Sequence, residues 1–124
     1  MAGLRILIVE DEPLVRVDIE DAIRRAGYEV AGSASSGEEA IAKSLSLHPD
    51  IVLMDIALHG EMDGSTAARF IQSELAVPIV FISGQAIAEI TDQNAPPTFQ
   101  VKKPFARPEL IGALAAASHH CKRK

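Results

Sequence analysis

Ile6-Leu7-Ile8-Val9-Glu10-Asp11-Glu12-Pro13 decides the fold. Four consecutive apolar residues suit a strand buried on both faces, since a half-exposed strand would alternate. The run then breaks into three acids and a proline. Beyond Pro13 the apolar positions are Val15, Ile19, Ala22, Ile23 and Ala26, one stripe at helical spacing closed by Gly27. A buried strand feeding an amphipathic helix is the repeating unit of a parallel α/β sheet.

The same unit recurs along the chain. Tyr28 to Ala34 is a weaker strand containing Val30. Ser36-Gly37-Glu38-Glu39 reads as a capping box that opens a helix through Leu47. Asp50 and Ile51-Val52-Leu53-Met54 form a third strand that ends at Asp55. A loop carries His59-Gly60 and Met62-Asp63-Gly64, and the next helix presents Ala67, Ala68, Ile71 and Leu75. Pro78 leads into Ile79-Val80-Phe81-Ile82, the fourth strand. Residues 85–98 are less regular: Ala86 to Ile90 allows a helical turn or two, and Ala95-Pro96-Pro97 ends any helix. Phe99 to Lys102 is a fifth strand. Pro108 suits the first turn of a last helix whose inner face is Leu110, Ile111, Leu114 and Ala117. The expected fold is α/β: (βα)5, a doubly wound parallel five-stranded sheet with helices on both faces. Residues 1–118 form the expected domain, and 119–124 a frayed basic tail.

Composition narrows the function. A chain of 124 residues fits one domain. With 4% aromatic residues and no Trp, the core must be aliphatic, and a stacking surface for single strands is not expected. A net charge of −5 argues against binding a phosphate backbone, so no nucleic-acid partner is expected. The single cysteine, Cys121, excludes an internal disulfide framework and a cysteine-cage zinc site. No apolar run approaches the roughly 18 residues of a membrane span. The opening residues lack a signal peptide's long apolar region. The expected location is cytoplasmic, away from membranes.

The chemistry gathers at the carboxyl ends of the strands, where open α/β sheets bind ligands. Strand one ends in Glu10-Asp11, strand three in Asp55, strand four in Ser83-Gly84 and strand five in Lys102-Lys103-Pro104. At about 5 Å, each pair of carboxylates repels by roughly 3 kcal/mol at an effective dielectric of about 20. Such a cluster must bind protons or a cation. Oxygen ligands without His or Cys favour Mg2+ or Mn2+. Lys103, held before Pro104, suits a phosphoryl counter-charge, and Ser83 adds a hydroxyl donor followed by Gly84. Three acids, a hydroxyl and an ammonium suit phosphoryl transfer to a carboxylate. Asp55, between the strand-one acids and Ser83, is the best nucleophile.

Taken in order, these segments resemble a response-regulator receiver domain. The carriers are Ile6 to Pro13, Asp50 to Asp55, Met62-Asp63-Gly64, Phe81-Ile82-Ser83-Gly84 and Lys103-Pro104-Phe105. The resemblance implies the flavodoxin-like strand order 2-1-3-4-5. It implies that Asp55 accepts phosphate from the phosphohistidine of a sensor histidine kinase or a histidine phosphotransfer protein. Asp11 and Asp55 would ligate Mg2+ directly, Glu10 mainly through water, and the Ala57 backbone carbonyl would complete the protein ligands. Ser83 and Lys103 would bond the phosphoryl group and throw the switch, changing the surface of residues 85–118. Ala57 and Gln85 occupy positions that tune dephosphorylation. With no output domain among these residues, the signal would pass by binding an unknown downstream protein or by phosphorelay. The chain would act as a monomer or a phosphorylation-dependent dimer, and would be a signalling protein rather than an enzyme. An excised receiver from a hybrid kinase is a further possible context.

Some positions depart from the family pattern. Gln100 stands where the switch aromatic usually lies, with Phe99 one residue earlier. The loop from Asp55 to Gly64 looks one residue longer than in the chemotaxis receiver. Pro78 to Gly84 resembles the motif of single-domain receivers of the FAT GUY type. Two rivals stand beside the switch. A phosphate-independent pseudo-receiver would bind partners only. A haloacid-dehalogenase-type phosphohydrolase would place its Asp pair after the first strand, whereas Asp55 follows the third and has Ala57 two residues on. His48 and His59 read as loop residues. A metal trap of His119, His120 and Cys121 lacks a fourth ligand.

Overall fold

A computed structural model describes residues 3–56, 62, 64–83, 98–102 and 105–119. Strand β1 is Arg5–Val9, followed by helix α1, Pro13–Arg25. Then come β2 (Glu29–Ala34), α2 (Gly37–Leu47), β3 (Ile51–Asp55) and α3 (Gly64–Glu74). Strands β4 (Ile79–Ser83) and β5 (Thr98–Lys102) precede α4 (Arg107–Ser118). The strands pair in parallel in the order β2-β1-β3-β4-β5. This is the doubly wound sheet expected from sequence, with four helices among the described residues. The expectations for residues 84–97 and for the tail beyond His119 lie outside them.

The pleat explains the unbroken apolar runs. Successive side chains point to opposite faces, so each run feeds two cores. Ile6, Ile8, Leu53, Val80 and Ile82 pack with Ile19 and Ile23 of α1 and with Leu110 and Leu114 of α4. Leu7, Val9, Val52, Met54, Ile79 and Phe81 pack with Ala40 of α2 and with Ala67, Ala68 and Ile71 of α3. The small residues on α2 and α3 let those helices lie close to the sheet.

Helix ends follow local chemistry. Gly27 adopts φ 95°, the left-handed region open to glycine. Its N–H donates to Arg24 O at 3.0 Å, and the Tyr28 N–H donates to Ile23 O at 3.0 Å. That pair of bonds is a Schellman closure, so Ala26 caps α1 rather than extending it. Ser36 caps α2, its Oγ accepting from the Glu39 N–H at 3.1 Å. The return arm differs from the expected box. Glu39 Oε1 accepts from the N–H and hydroxyl of Ser35, at 2.8 and 3.1 Å, because Ser35 offers two donors at once. His48 ends α2 at φ 49°. Helix α3 stops at Glu74, and Leu75 keeps one helical bond, N–H to Ile71 O at 2.7 Å.

Candidate functional site

Strand register brings the acids together. Val9 of β1 lies beside Met54 of β3, so the next residues, Glu10 and Asp55, come level. The Glu10 N–H donates to Ala34 O at 3.0 Å and carries the ladder one residue past β1. Asp55 pairs with Ile82 of β4, and the Ile56 N–H donates to Ile82 O at 3.0 Å. Ser83 is the next residue, so its place beside the acid is set by the same ladder.

Glu10, Asp11 and Asp55 each offer a carboxylate oxygen, and these oxygens lie within 4.8 Å of one another. Glu10 is 0% and Asp55 2% exposed, while Asp11 is half-buried. Burial of like charges this close costs about 3 kcal/mol per pair at an effective dielectric of about 20. A divalent cation removes that repulsion. The all-carboxylate donor set, without His or Cys, fits a hard ion such as Mg2+. The Glu12 N–H donates to Glu10 Oε2 at 3.2 Å, which orients one acid from the start of α1.

The end of β3 and the start of α3 lie in close contact. A Cβ on Gly64 would collide with the Asp55 carbonyl oxygen and come within 2.9 Å of Ile56 Cα. Only a bare backbone lets α3 start there, and the Gly64 N–H donates to Ile56 O at 3.1 Å. Met62 packs on Gly37 at the start of α2, where a Cβ would meet its Cγ at 3.0 Å. Gly37 and Gly64 stand within the sequence motifs Ser36-Gly37-Glu38-Glu39 and Met62-Asp63-Gly64, but neither contact is legible from them. The visible signal was a glycine at each helix start.

Ser83 is 8% exposed and pairs with Lys102, which points to solvent. Lys103, Ala57 and Gln85 lie outside the described residues. Gln100 is exposed, and Phe99 packs on the core beneath α1 and α4. Adjacent strand residues face opposite ways, so Phe99 does not substitute for an aromatic at position 100.

Similarity to known proteins agrees with this geometry. The family model "response regulator receiver domain" matches residues 6–115. The chemotaxis protein CheY of Thermotoga maritima is 37% identical over 119 residues, covering 94% of this chain and 98% of that protein. A protein-glutamate methylesterase/protein-glutamine glutaminase of Archaeoglobus fulgidus is 37% identical over 100 residues. The match covers 81% of this chain but 27% of that longer protein. The solution structure of the receiver domain of PhyR from Erythrobacter litoralis superposes with a TM-score of 0.85 at 30% identity, covering 100% of this chain and 96% of that one. Among the described residues no helix is long and apolar enough to cross a membrane. With the strand order, the acids at the ends of β1 and β3 and the matched span all in agreement, the chain belongs to the response regulator receiver domain family.

Proposed function

We propose that this receiver is a phosphorylation switch with Asp55 as phosphoacceptor. The observation that carries the reading is the acid triad: Asp55 closes the middle strand, its carboxylate oxygen within 4.8 Å of those of Glu10 and Asp11 and one ladder step from Ser83. A carboxylate oxygen of Asp55 attacks the phosphorus of a phosphohistidine. The P–N bond breaks, its electron pair returns to the imidazole, and that nitrogen takes a proton from solvent. Asp11 and Asp55 would hold Mg2+ (or Mn2+) directly, Glu10 mainly through water, with the Ala57 backbone carbonyl as a further ligand; the ion, when bound, would neutralise charge on the phosphoryl oxygens. Ser83 donates its hydroxyl to the new phosphoryl group, and Lys103 pairs with it. Ala57 and Gln85 tune the lifetime of the acyl phosphate. The donor is a sensor histidine kinase or a histidine phosphotransfer protein.

The new dianion shifts the ends of β4 and β5, and the surface of residues 85–118 changes with them. A cytoplasmic downstream protein reads that surface, or the phosphoryl group passes on to a histidine. The domain takes residues 1–118, with 119–124 as a basic tail, and works as a monomer or as a dimer formed on phosphorylation. The exposed Gln100 favours a second reading, a phosphate-independent binding module. Membership of the receiver family supports the switch over the hydrolase alternative.

One labelling experiment separates the readings. With a small phosphodonor and Mg2+, the wild type takes one phosphoryl group and Asp55→Asn takes none. Excess EDTA stops the reaction. Label on another residue, or label that persists in EDTA, would refute the assignment. A wild type that stays unlabelled by donor and by kinase is the binding module.

A further inference from the structure

Arg107, the first residue of α4, makes ion pairs that the site chemistry does not use. Its Nη1 donates to Asp21 Oδ2 at 2.9 Å and its Nη2 to Asp18 Oδ1 at 2.5 Å. These bonds join residues 86 and 89 positions apart. Asp18 and Asp21 lie three residues apart on α1, where side chains share a face. Arg25 Nε donates to the same Asp21 oxygen at 2.9 Å. Hydrogen bonds from Arg107 and then Arg25 hold the Asp21 carboxyl below its ordinary range.

Beside this clamp, α1 and α4 share an apolar core. Ile19, Ala22 and Ile23 share a core with Leu110, Leu114 and Ala117. Apolar burial is non-directional, so it specifies the rotation and slide of α4 less sharply than a directed ion pair does. A planar guanidinium spanning two carboxylates fixes them. It grips the first turn of α4, which begins five residues after β5 ends.

We propose that Arg107, with Asp18 and Asp21, is a latch that holds α4 in its resting pose against α1, so that a signal moving α4 must first break this clamp. The proposal rests on the reading above, in which phosphorylation alters the surface that α4 belongs to. Each bond is partly exposed and individually weak. A two-state element poised between poses is sensitive to ties of that size.

Amide hydrogen exchange on the full chain tests the latch. The variants are Arg107→Ala, the pair Asp18→Asn with Asp21→Asn, and all three together. The probes are the Glu109 and Leu110 amides, which donate to Ala106 O at 3.0 and 3.3 Å in the first turn of α4. Breaking either side speeds their exchange by about two- to fivefold. The triple variant exchanges no faster than either parent, because one shared interaction has been removed. Arg107→Lys recovers part of the protection, since an ammonium lacks the fork that spans both acids. Amides of β1 and β3 keep their wild-type rates, which a general loss of stability would not allow. In the phosphorylated wild type these amides speed up, and Arg107→Ala abolishes the difference. Unchanged exchange in Arg107→Ala, additive effects in the triple variant, or no response to phosphate in a labelled wild type would overturn the latch. If the wild type takes no label, the phosphoacceptor reading fails, and with it the latch as a switch element. The cycle of unphosphorylated variants still decides whether the clamp exists.

Discussion

The main-chain carbonyl of Asp55 occupies the space that a side chain on Gly64 would need. Helix α3 therefore begins in contact with the backbone of the proposed phosphoacceptor. Gly64→Ala must push the two segments apart, and overpacking of this kind costs about 1–3 kcal/mol. The expected outcome is a lower urea midpoint together with slower labelling of Asp55. A wild-type midpoint would show that the start of α3 yields freely.

The acid triad strains the metal-free protein. Asp11→Asn removes one of three close charges and should stabilise the metal-free chain by about 1–3 kcal/mol. Mg2+ raises the wild-type Tm by binding the folded state. The same addition should shift Asp11→Asn much less. Thermal unfolding with and without Mg2+, at constant ionic strength, checks both statements, and equal shifts in the two proteins would contradict them.

Ser44 is fully buried on α2, and its hydroxyl has no hydrogen-bond partner among the described residues. Ser44→Ala removes an unsatisfied polar group and adds a better helix former. A gain of about 0.5–1.5 kcal/mol is expected from denaturant unfolding. A loss would mean that the hydroxyl is satisfied in solution, for example by a bound water.

Glu39 carries a pH signature. The Ser35 N–H and then the Lys43 ammonium hold its carboxyl below the ordinary glutamate range. A carboxyl lowered by folding stabilises fully at pH values above its unfolded pKa. That contribution is lost as pH falls through the lower, folded value. Because the Lys43 pair is 39% exposed on both sides, the contribution is under about 1 kcal/mol. Glu39→Gln should lower Tm at neutral pH and converge with wild type in acid. Parallel Tm curves across the acid range would exclude this linkage.

The fold was legible because each buried strand announces itself as a continuous apolar run and each helix as a stripe. The acid triad was legible for a related reason: Glu10-Asp11 and Asp55 close their runs, and parallel pairing carries such ends to one edge. Features that depend on exact spatial approach were not. The contact of Gly64 with Asp55 needs the path of the intervening loop. The Arg107 clamp joins residues 86 and 89 apart, beyond any local pattern. The return arm of Glu39 chose Ser35 over the expected cap because two neighbouring serines compete for one carboxylate. The departure at Gln100, with Phe99 one residue earlier, was visible in the sequence, and the pleat sets the two side chains on opposite faces.

The edge strand β2 carries one more consequence. Ala34 O turns inward to the Glu10 N–H, so the carbonyl of the preceding residue, Ser33, turns outward to the free rim. The ammonium of Lys43 sits on that carbonyl at 2.5 Å and is itself tied to Glu39 Oε2 at 3.1 Å. A neighbouring molecule seeking to extend the ladder must first evict a charged group from its docking point. The rim is thereby guarded against fibrous self-association.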